Sequence, residues 1–467
     1  MRYDDRSGLA LAGPKEHDVS DLTRRSALTA CLAAPAVLAL ARGAHAQQAA
    51  AQPLRVALIG AGWYGKVDLL RLLQVNAAEV VGLADPDANM LAGAAQIVAS
   101  RQASGATPPT YRDYRELLAA QQPDLVVIGS PDHWHALHAI DSMEAGADVW
   151  VQKPTAVDVV ECQAMVETAR RLGRTVQVGL QRRGTPHLFD ARDNVIAAGL
   201  LGDVGVAECY SYYHMRSRGN PEPQPVPEHL DWELWTGPAP MRAYTGAEHP
   251  GGWRSFMEYG NGIIGDMGVH MIDMTRWLLG LGSPISVSSA AANLYGTGIS
   301  NISDTQIATI DFGPTKIIWQ HRTWGAPADG DYPWGATLYG TEGTLRASVW
   351  RYDFQPRRGG DPIHRDVVME LEQYPEDETE ERLEKHTAPG IRWLMRDWLA
   401  AREEGRLPAS DIQEGAISSV ACILANVSAQ LGRTLHWDAE NWRVRDDDEA
   451  NALLARAYRA PWVHPGA

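Results

Sequence analysis

The chain has 467 residues, too many for one small core, and two domains are the expectation. Its 45% apolar and 21% charged residues are those of an ordinary soluble globular protein, not of a disordered or fibrous one. A formal net charge of −16 argues against nucleic acid or an anionic membrane surface as partner, because both require basic surface.

Residues 1–46 read as an export signal, not as part of the fold. Thr23-Arg24-Arg25-Ser26-Ala27-Leu28 opens an uncharged stretch from Ser26 to Ala41, and Ala44-His45-Ala46 is a small-x-small cleavage site. That is the layout of a twin-arginine signal. The stretch is too short and too alanine-rich for a transmembrane helix. The expectation is export through the twin-arginine machinery, cleavage near Ala46 and a periplasmic protein with no membrane span. Cys162, Cys209 and Cys422, which remain after cleavage, form neither a disulfide framework nor a metal spacing and read as small buried apolar residues.

Residues 53–180 alternate strand and helix, the pattern of a doubly wound parallel sheet. The expected strands are Arg55–Gly60, Glu79–Ala84, Leu125–Gly129, Asp148–Gln152 and Thr175–Gly179. Helices over Tyr114–Ala120, Ala136–Ala145 and Val157–Leu172 lie between them, the last capped by Thr155 with Asp158 three residues on. The first strand ends on Gly60-Ala61-Gly62-Trp63-Tyr64-Gly65, a G-x-G-x-x-G turn leading into a helix. Gly60 makes the tight turn, Gly62 leaves room for backbone to approach a pyrophosphate, and Gly65 lets helix and strand pack closely. The helix N-terminus then offers N–H groups to the phosphates. Asp85 closes the second strand 20 residues past Gly65, where it can bond a ribose 2′-hydroxyl and would repel a 2′-phosphate. The cofactor read from this unit is NAD in preference to NADP.

Residues 181–467 change texture. Runs of period-two character at Val204–Tyr213, Pro284–Asn293, Thr305–Phe312, Thr315–Arg322, Ala336–Tyr339 and Thr344–Val349 predict an α+β domain with a large, mostly antiparallel open sheet. They surround a Pro-rich excursion, Gly219 to Gly252, and one helix from about Gly265 to Leu279. The charged run Glu376–Lys385 reads as a solvated face or loop. Helices over Gly390–Glu404 and Ile412–Leu431 and an irregular tail close the chain. Such a sheet lacks helices for both faces, which predicts a homodimer or homotetramer.

Three stretches have the residues for chemistry. Lys153 ends a sheet strand in a Lys-Pro turn, on the rim where ligands of open α/β sheets bind; a desolvated lysine there can exchange a proton with a substrate hydroxyl, the alternative being a surface lysine. Asp266 and His270 are four apart on one helix face and suit removal and return of a hydroxyl proton, the alternatives being a helix cap and a core histidine. Ser130-Pro131-Asp132-His133-Trp134-His135, with His138, follows the expected strand Leu125–Gly129 and should lie beside the nicotinamide ribose; no second group of matching ligands supports a metal reading. Aromatics crowd the excursion, among them Trp232, Trp235, Tyr244, Trp253, Phe256 and Tyr259, and suit either a core or a platform for sugar faces.

Together GAGWYG, SPDHWHALHAIDSMEAGADVWVQKP and GDMGVHMID resemble the cofactor loop, the Lys-Pro signature and the substrate helix of the Gfo/Idh/MocA oxidoreductases. LDWELWTGPAP, GTEGTL and GRTLHWD resemble that family's exported, tryptophan-rich branch. The resemblance implies an NAD-dependent oxidoreductase moving a hydride between a sugar or polyol carbinol carbon and nicotinamide. Lys153, Asp266 and His270 become the catalytic set. Gly60, Gly62, Trp63, Tyr64, Gly65, Asp85, Ser130, Pro131, Asp132, His135 and Lys153 become cofactor contacts, and Arg182, Trp253, Tyr259, Asp266 and His270 substrate contacts. Two positions depart from the family pattern. Gln152 stands where Glu is usual, removing a charge beside Lys153, and Asp132 stands where Asn is usual, which puts the ribose contact in question. Export adds a constraint, since the periplasm has no NAD pool. The cofactor must be tightly bound and reoxidised in place, or the reaction must be redox-neutral, as in a glycoside hydrolase, lyase or epimerase acting through a transient keto-sugar. A non-catalytic sugar-binding module is the remaining alternative.

Overall fold

A computed structural model describes residues 53–212, 218–296, 298–379 and 384–466. From Pro53 onward the chain packs as one compact unit. Arg24-Arg25 and the Ala46 cleavage site lie outside the described residues.

Strands β1 (Arg55–Ile59), β2 (Glu79–Ala84), β3 (Thr110–Tyr111), β4 (Leu125–Ile128), β5 (Asp148–Val151) and β6 (Val176–Val178) form an all-parallel sheet in the order β3-β2-β1-β4-β5-β6. Helices α1 (Trp63–Val75), α2 (Ala88–Arg101), α3 (Tyr114–Gln121), α4 (His135–Glu144) and α5 (Val159–Leu172) cover both faces. Val56 and Leu58 pack on one side with Leu69, Leu72 and Val98, while Ala57 and Ile59 pack on the other with Leu117, Ala139 and Met165. Being buried on both faces, these strands read as unbroken apolar runs and not as alternations. Strand β3 was not expected, because its two residues lie in a polar stretch with no periodicity. The cap of α5 also differs from expectation. Asp158 Oδ1 accepts from the Glu161 N–H at 2.8 Å, and Glu161 Oε2 reaches back to the Val157 N–H at 2.9 Å. The capping pair is therefore Asp158–Glu161, and Thr155 lies upstream of the helix.

The second half builds a sheet in the order β14-β13-β12-β11-β7-β10-β9-β8-β15-β16. Its strands are β7 (Val204–Ser211), β8 (Ser286–Ala292), β9 (Thr305–Asp311), β10 (Lys316–Arg322), β11 (Trp334–Gly340), β12 (Gly343–Ser348), β13 (Arg351–Pro356), β14 (Ile363–Asp366), β15 (Leu435–Asp438) and β16 (Arg443–Val444). All neighbours are antiparallel except β7 and β10. Further helices are α6 (Pro186–Ala191), α7 (Trp232–Thr236), α8 (Val269–Leu279), α9 (Glu376–Thr379), α10 (Ala388–Glu404) and α11 (Ile412–Leu431). Helix α11 is long and apolar enough to cross a membrane by composition, yet most of it is buried in this core. Cys162, Cys209 and Cys422 are buried, unbridged thiols, as expected.

The charged run 376–385 corrects its expectation. Asp377 is buried, pairing with Arg71 of α1 at 2.8 Å and Arg392 of α10 at 2.7 Å. Both arginines are fully buried too, so this run holds the chain against the glycine-loop helix and is no solvated face at that point.

Candidate active site

Parallel register sets Ile59 beside Ile128 and Ile128 beside Val151, so the turns after β1, β4 and β5 leave the sheet on one rim. Gly60, Ser130 and Lys153 meet there as a consequence. Gly60 has φ +88°, and a Cβ on it would sit 2.4 Å from the Ser130 amide nitrogen. A Cβ on Gly65 would sit 1.9 Å from the Gly60 carbonyl oxygen. Only glycine fits at either position. A Cβ on Gly62 would meet no protein atom, so the demand for glycine there comes from a ligand approaching the backbone. Helix α1 has no side-chain cap, and its positive end faces the same space. This geometry fits a dinucleotide.

Asp85 is tied into the loop. Its Oδ2 accepts from the Ala61 N–H at 2.8 Å and its Oδ1 from the Asp87 N–H at 2.9 Å. Burial pushes its carboxyl up to about 7 despite those bonds. Gly60, Gly62, Trp63, Tyr64, Asp85, Ser130 and Pro131 line a cleft of about 960 Å³. Gly65, Asp132, His135 and Lys153 do not line it. His135 is fully buried, with Nδ1 2.7 Å from the Pro154 carbonyl and Nε2 3.0 Å from the Ser130 carbonyl. It ties the Ser130 loop to the Lys-Pro turn. His138 bonds Ser130 Oγ at 3.0 Å and His133 the Trp235 carbonyl at 3.2 Å, so these histidines serve local structure.

The far wall of the cleft is the Pro-rich excursion. It adds a bridge between Leu230 and Asp87, a bond from the Ala88 N–H to the His229 carbonyl at 2.9 Å, and His249 Nε2 2.7 Å from Asp87 Oδ2. The aromatics expected there divide between two roles. Tyr259 and Phe256 are fully buried in a cluster with Trp232, Trp235 and Trp253, and of these Trp235 and Trp253 also line the cleft while Tyr259 does not.

The charged residues meet where the cleft ends. Lys153 donates to Asp266 Oδ1 at 2.7 Å and to the Asp266 carbonyl at 2.9 Å. Arg254, which lines the cleft, brings Nε to 3.4 Å from the same Oδ1. Asp266 lies in a π-helical turn, Ile264–Gly268, that runs into α8. His270 follows in the first turn of α8, buried, with Nδ1 lacking a hydrogen-bond partner among the described residues and its ring edge-on to Trp334. Burial, with the Lys153 and Arg182 cations, holds its imidazole well below the usual range, so it is neutral at pH 7. Arg182 lies over Trp334, its Cζ 5.2 Å from the ring centroid. Asp132 is buried beside this group, and burial raises its carboxyl to about 7 against the pull of Arg254 and Lys153.

Gln152 does not leave Lys153 without a carboxylate, because Asp266 supplies one. The side chain of Gln152 instead donates to Asp68 Oδ2 at 2.7 Å, an atom that also accepts from Trp150 Nε1 at 2.9 Å. Burial pushes Asp68 up to about 7. Asp68, Arg254 and Glu384, which accepts from the Tyr64 hydroxyl at 2.9 Å, escaped the sequence reading. An acid inside the apolar face of α1 was the one visible signal, for Asp68.

Residues 54–180 match the family described as oxidoreductase family, NAD-binding Rossmann fold, and residues 194–314 match its C-terminal alpha/beta domain. D-glucoside 3-dehydrogenase of Escherichia coli K12 is 27% identical over 280 residues, 57% of this chain and 69% of its own length. Inositol 2-dehydrogenase 3 of Saccharopolyspora erythraea is 34% identical over 158 residues, 33% of this chain and 44% of its own. Apart from the first, the chain spans about half or less of the length of such curated relatives, from 57% down to 36%. An oxidoreductase from Agrobacterium radiobacter, solved with NAD+, L-tartaric acid and magnesium, shares the fold with a TM-score of 0.62 at 17% identity, over 82% of this chain and 98% of its own. With both halves matched, the chain belongs to the Gfo/Idh/MocA family of oxidoreductases, and its first half is an NAD-binding Rossmann fold.

Proposed function

We propose that the protein oxidises a carbinol of a sugar or polyol with NAD, using Lys153, Asp266 and His270 on the hydroxyl. One observation carries this reading: the Lys153–Asp266 pair, at 2.7 Å, stands beside a neutral His270 on the rim where the dinucleotide cleft ends. The D-glucoside and inositol dehydrogenases similar to the chain support the substrate class. NAD, when bound, supplies the hydride acceptor. Lys153 holds the substrate oxygen and steadies the negative charge that grows on it. Asp266 fixes Lys153 through Oδ1. His270 takes the proton, because it is the basic group that is unprotonated at neutral pH.

The same reading takes NAD over NADP from Asp85, and a tightly held cofactor from the walled cleft. It takes export in a folded state from Arg24-Arg25 and Ala44-His45-Ala46. In a compartment without an NAD pool, a second substrate must then reoxidise the bound cofactor. The test is to add sugars and polyols to the purified protein with its NAD, without air, and follow absorbance near 340 nm. A reduced signal that persists until an acceptor is added supports the reading. Product accumulating over many turnovers, with no acceptor and no lasting signal, would replace it with redox-neutral chemistry.

A further inference from the structure

Arg254 stands where the cofactor cleft meets the Lys153–Asp266 pair. Its guanidinium lies over the Trp253 ring, Cζ 4.0 Å from the centroid, and its side chain keeps 24% exposure toward the cleft. Its one ionic contact among the described residues is Nε with Asp266 Oδ1, at 3.4 Å, and that oxygen is already held by Lys153 at 2.7 Å. Arg254 donates no hydrogen bond to any described residue, although a guanidinium carries five N–H donors in a fixed fork. A fork so placed, backed by an aromatic face and mostly shielded from water, matches the two oxygens of a carboxylate.

The surrounding charges favour the same guest. The chain as a whole carries −16, yet Lys153 and Arg254 meet at this corner, both acting on Asp132. Asp266 offsets Lys153 through their pair at 2.7 Å. Asp132, facing Arg254, Lys153, Asp266 and Arg456, is partly protonated at neutral pH because of its burial. His270 and His386 are both held below the usual imidazole range, with Arg182 among the causes. Arg254 is left with its fork turned to the cleft, and a neutral sugar would not use its charge.

We infer that the substrate is an acidic sugar, with its carboxylate seated on Arg254 and a neighbouring carbinol presented to Lys153 and His270. The inference rests on the oxidoreductase reading above and narrows its substrate class. The cofactor's pyrophosphate is the other anion that could reach Arg254, so the test separates the two. NAD-loaded protein is titrated with D-glucuronate, D-galacturonate and D-gluconate against D-glucose, D-galactose and D-glucitol, following tryptophan fluorescence. At least one acid should bind ~10-fold or more tightly than its neutral partner, less so at high salt. Arg254→Met should erase that preference while NAD stays bound within about threefold. Arg254→Lys, which keeps the charge and loses the fork, should retain part of it.

Three results would overturn the inference: no acid binding better than its partner, a preference that survives in Arg254→Met, or a lesion that falls on NAD affinity instead. Absorbance near 340 nm on the same pairs keeps the two readings apart. Neutral sugars oxidised without preference for acids would remove the inference and leave the oxidoreductase. Acids bound through Arg254 with no reduced nicotinamide would do the reverse.

Discussion

Lys153 is the residue whose removal separates chemistry from binding. Its ammonium sits at the end of β5 with both hydrogen bonds directed to Asp266, outside the lining of the dinucleotide cleft. Lys153→Met should therefore leave NAD affinity nearly intact and lower turnover by roughly 100-fold or more. The vacated Asp266 keeps Arg254 as a neighbour, which limits the damage to folding. Turnover near wild type would return Lys153 to the role of a structural cation. Asp85 supports a second measurement at this scale. Its carboxyl, raised to about 7 by burial, gains charge as pH rises through neutrality. Repulsion of a 2′-phosphate must grow in the same direction. The preference for NAD over NADP, read as a ratio of Kd values, should increase several-fold between about pH 6 and pH 8. A ratio flat with pH, or tighter NADP, removes Asp85 as the discriminating group.

At the scale of elements, the excursion that packs on the β2–α2 loop decides how freely cofactor exchanges. Asp87 accepts from the N–H groups of Asn89 and Met90 at the start of α2 and meets His249 from the excursion. Cofactor leaving past Asp85 must move this wall. NAD should remain with the protein through purification, detected as nucleotide released on denaturation at close to one per chain. His249→Ala should speed its release several-fold; rapid exchange in the wild-type protein would rule the wall out as a retaining device. How much of this was legible beforehand follows from periodicity. The strands β1, β2, β4 and β5 announced themselves because burial on both faces makes them continuous apolar runs, and the glycine loop because Gly60 and Gly65 admit no side chain. Lys153, Asp266 and His270 came from motif spacing, which survives even though the helix is π-wound at Asp266. Long-range pairing was not legible. Nothing local tells that Asp377 meets Arg71 across 306 positions, that the ring nitrogens of His135 face the Pro154 and Ser130 carbonyls, or that Arg254 shares an oxygen with Lys153. Tyr259 and Trp253 share one buried aromatic cluster, and only packing opens Trp253 to the cleft and closes Tyr259 off from it.

For the whole molecule, the question is what lies against the second sheet. Alternate residues of β9 and β10 separate cleanly: Gln306, Ala308, Ile310, Ile317 and Trp319 are buried, while Ile307 is 56% exposed and Thr309 is open to solvent. Register carries that outer row across the strands as Ala290, Ile307, Gln320 and Tyr210, with Tyr339 on the neighbouring β11 and 43% exposed. Helices α8 and α11 pack on the other face. The strands from β14 to β8, about 4.8 Å apart and near seven residues long, present a surface of roughly 800 Å². That is the area one partner gives to a stable protein interface. A partly apolar sheet face of this size, with Ile307 and Tyr339 exposed on it, suits a second copy of itself around a twofold axis. Light scattering at micromolar concentration should therefore give the mass of a dimer or tetramer. Ile307→Glu should shift it toward monomer while NAD stays bound, since Ile307 touches neither the cleft nor the buried face. A monomer in the wild-type protein would mean that this face is left to water.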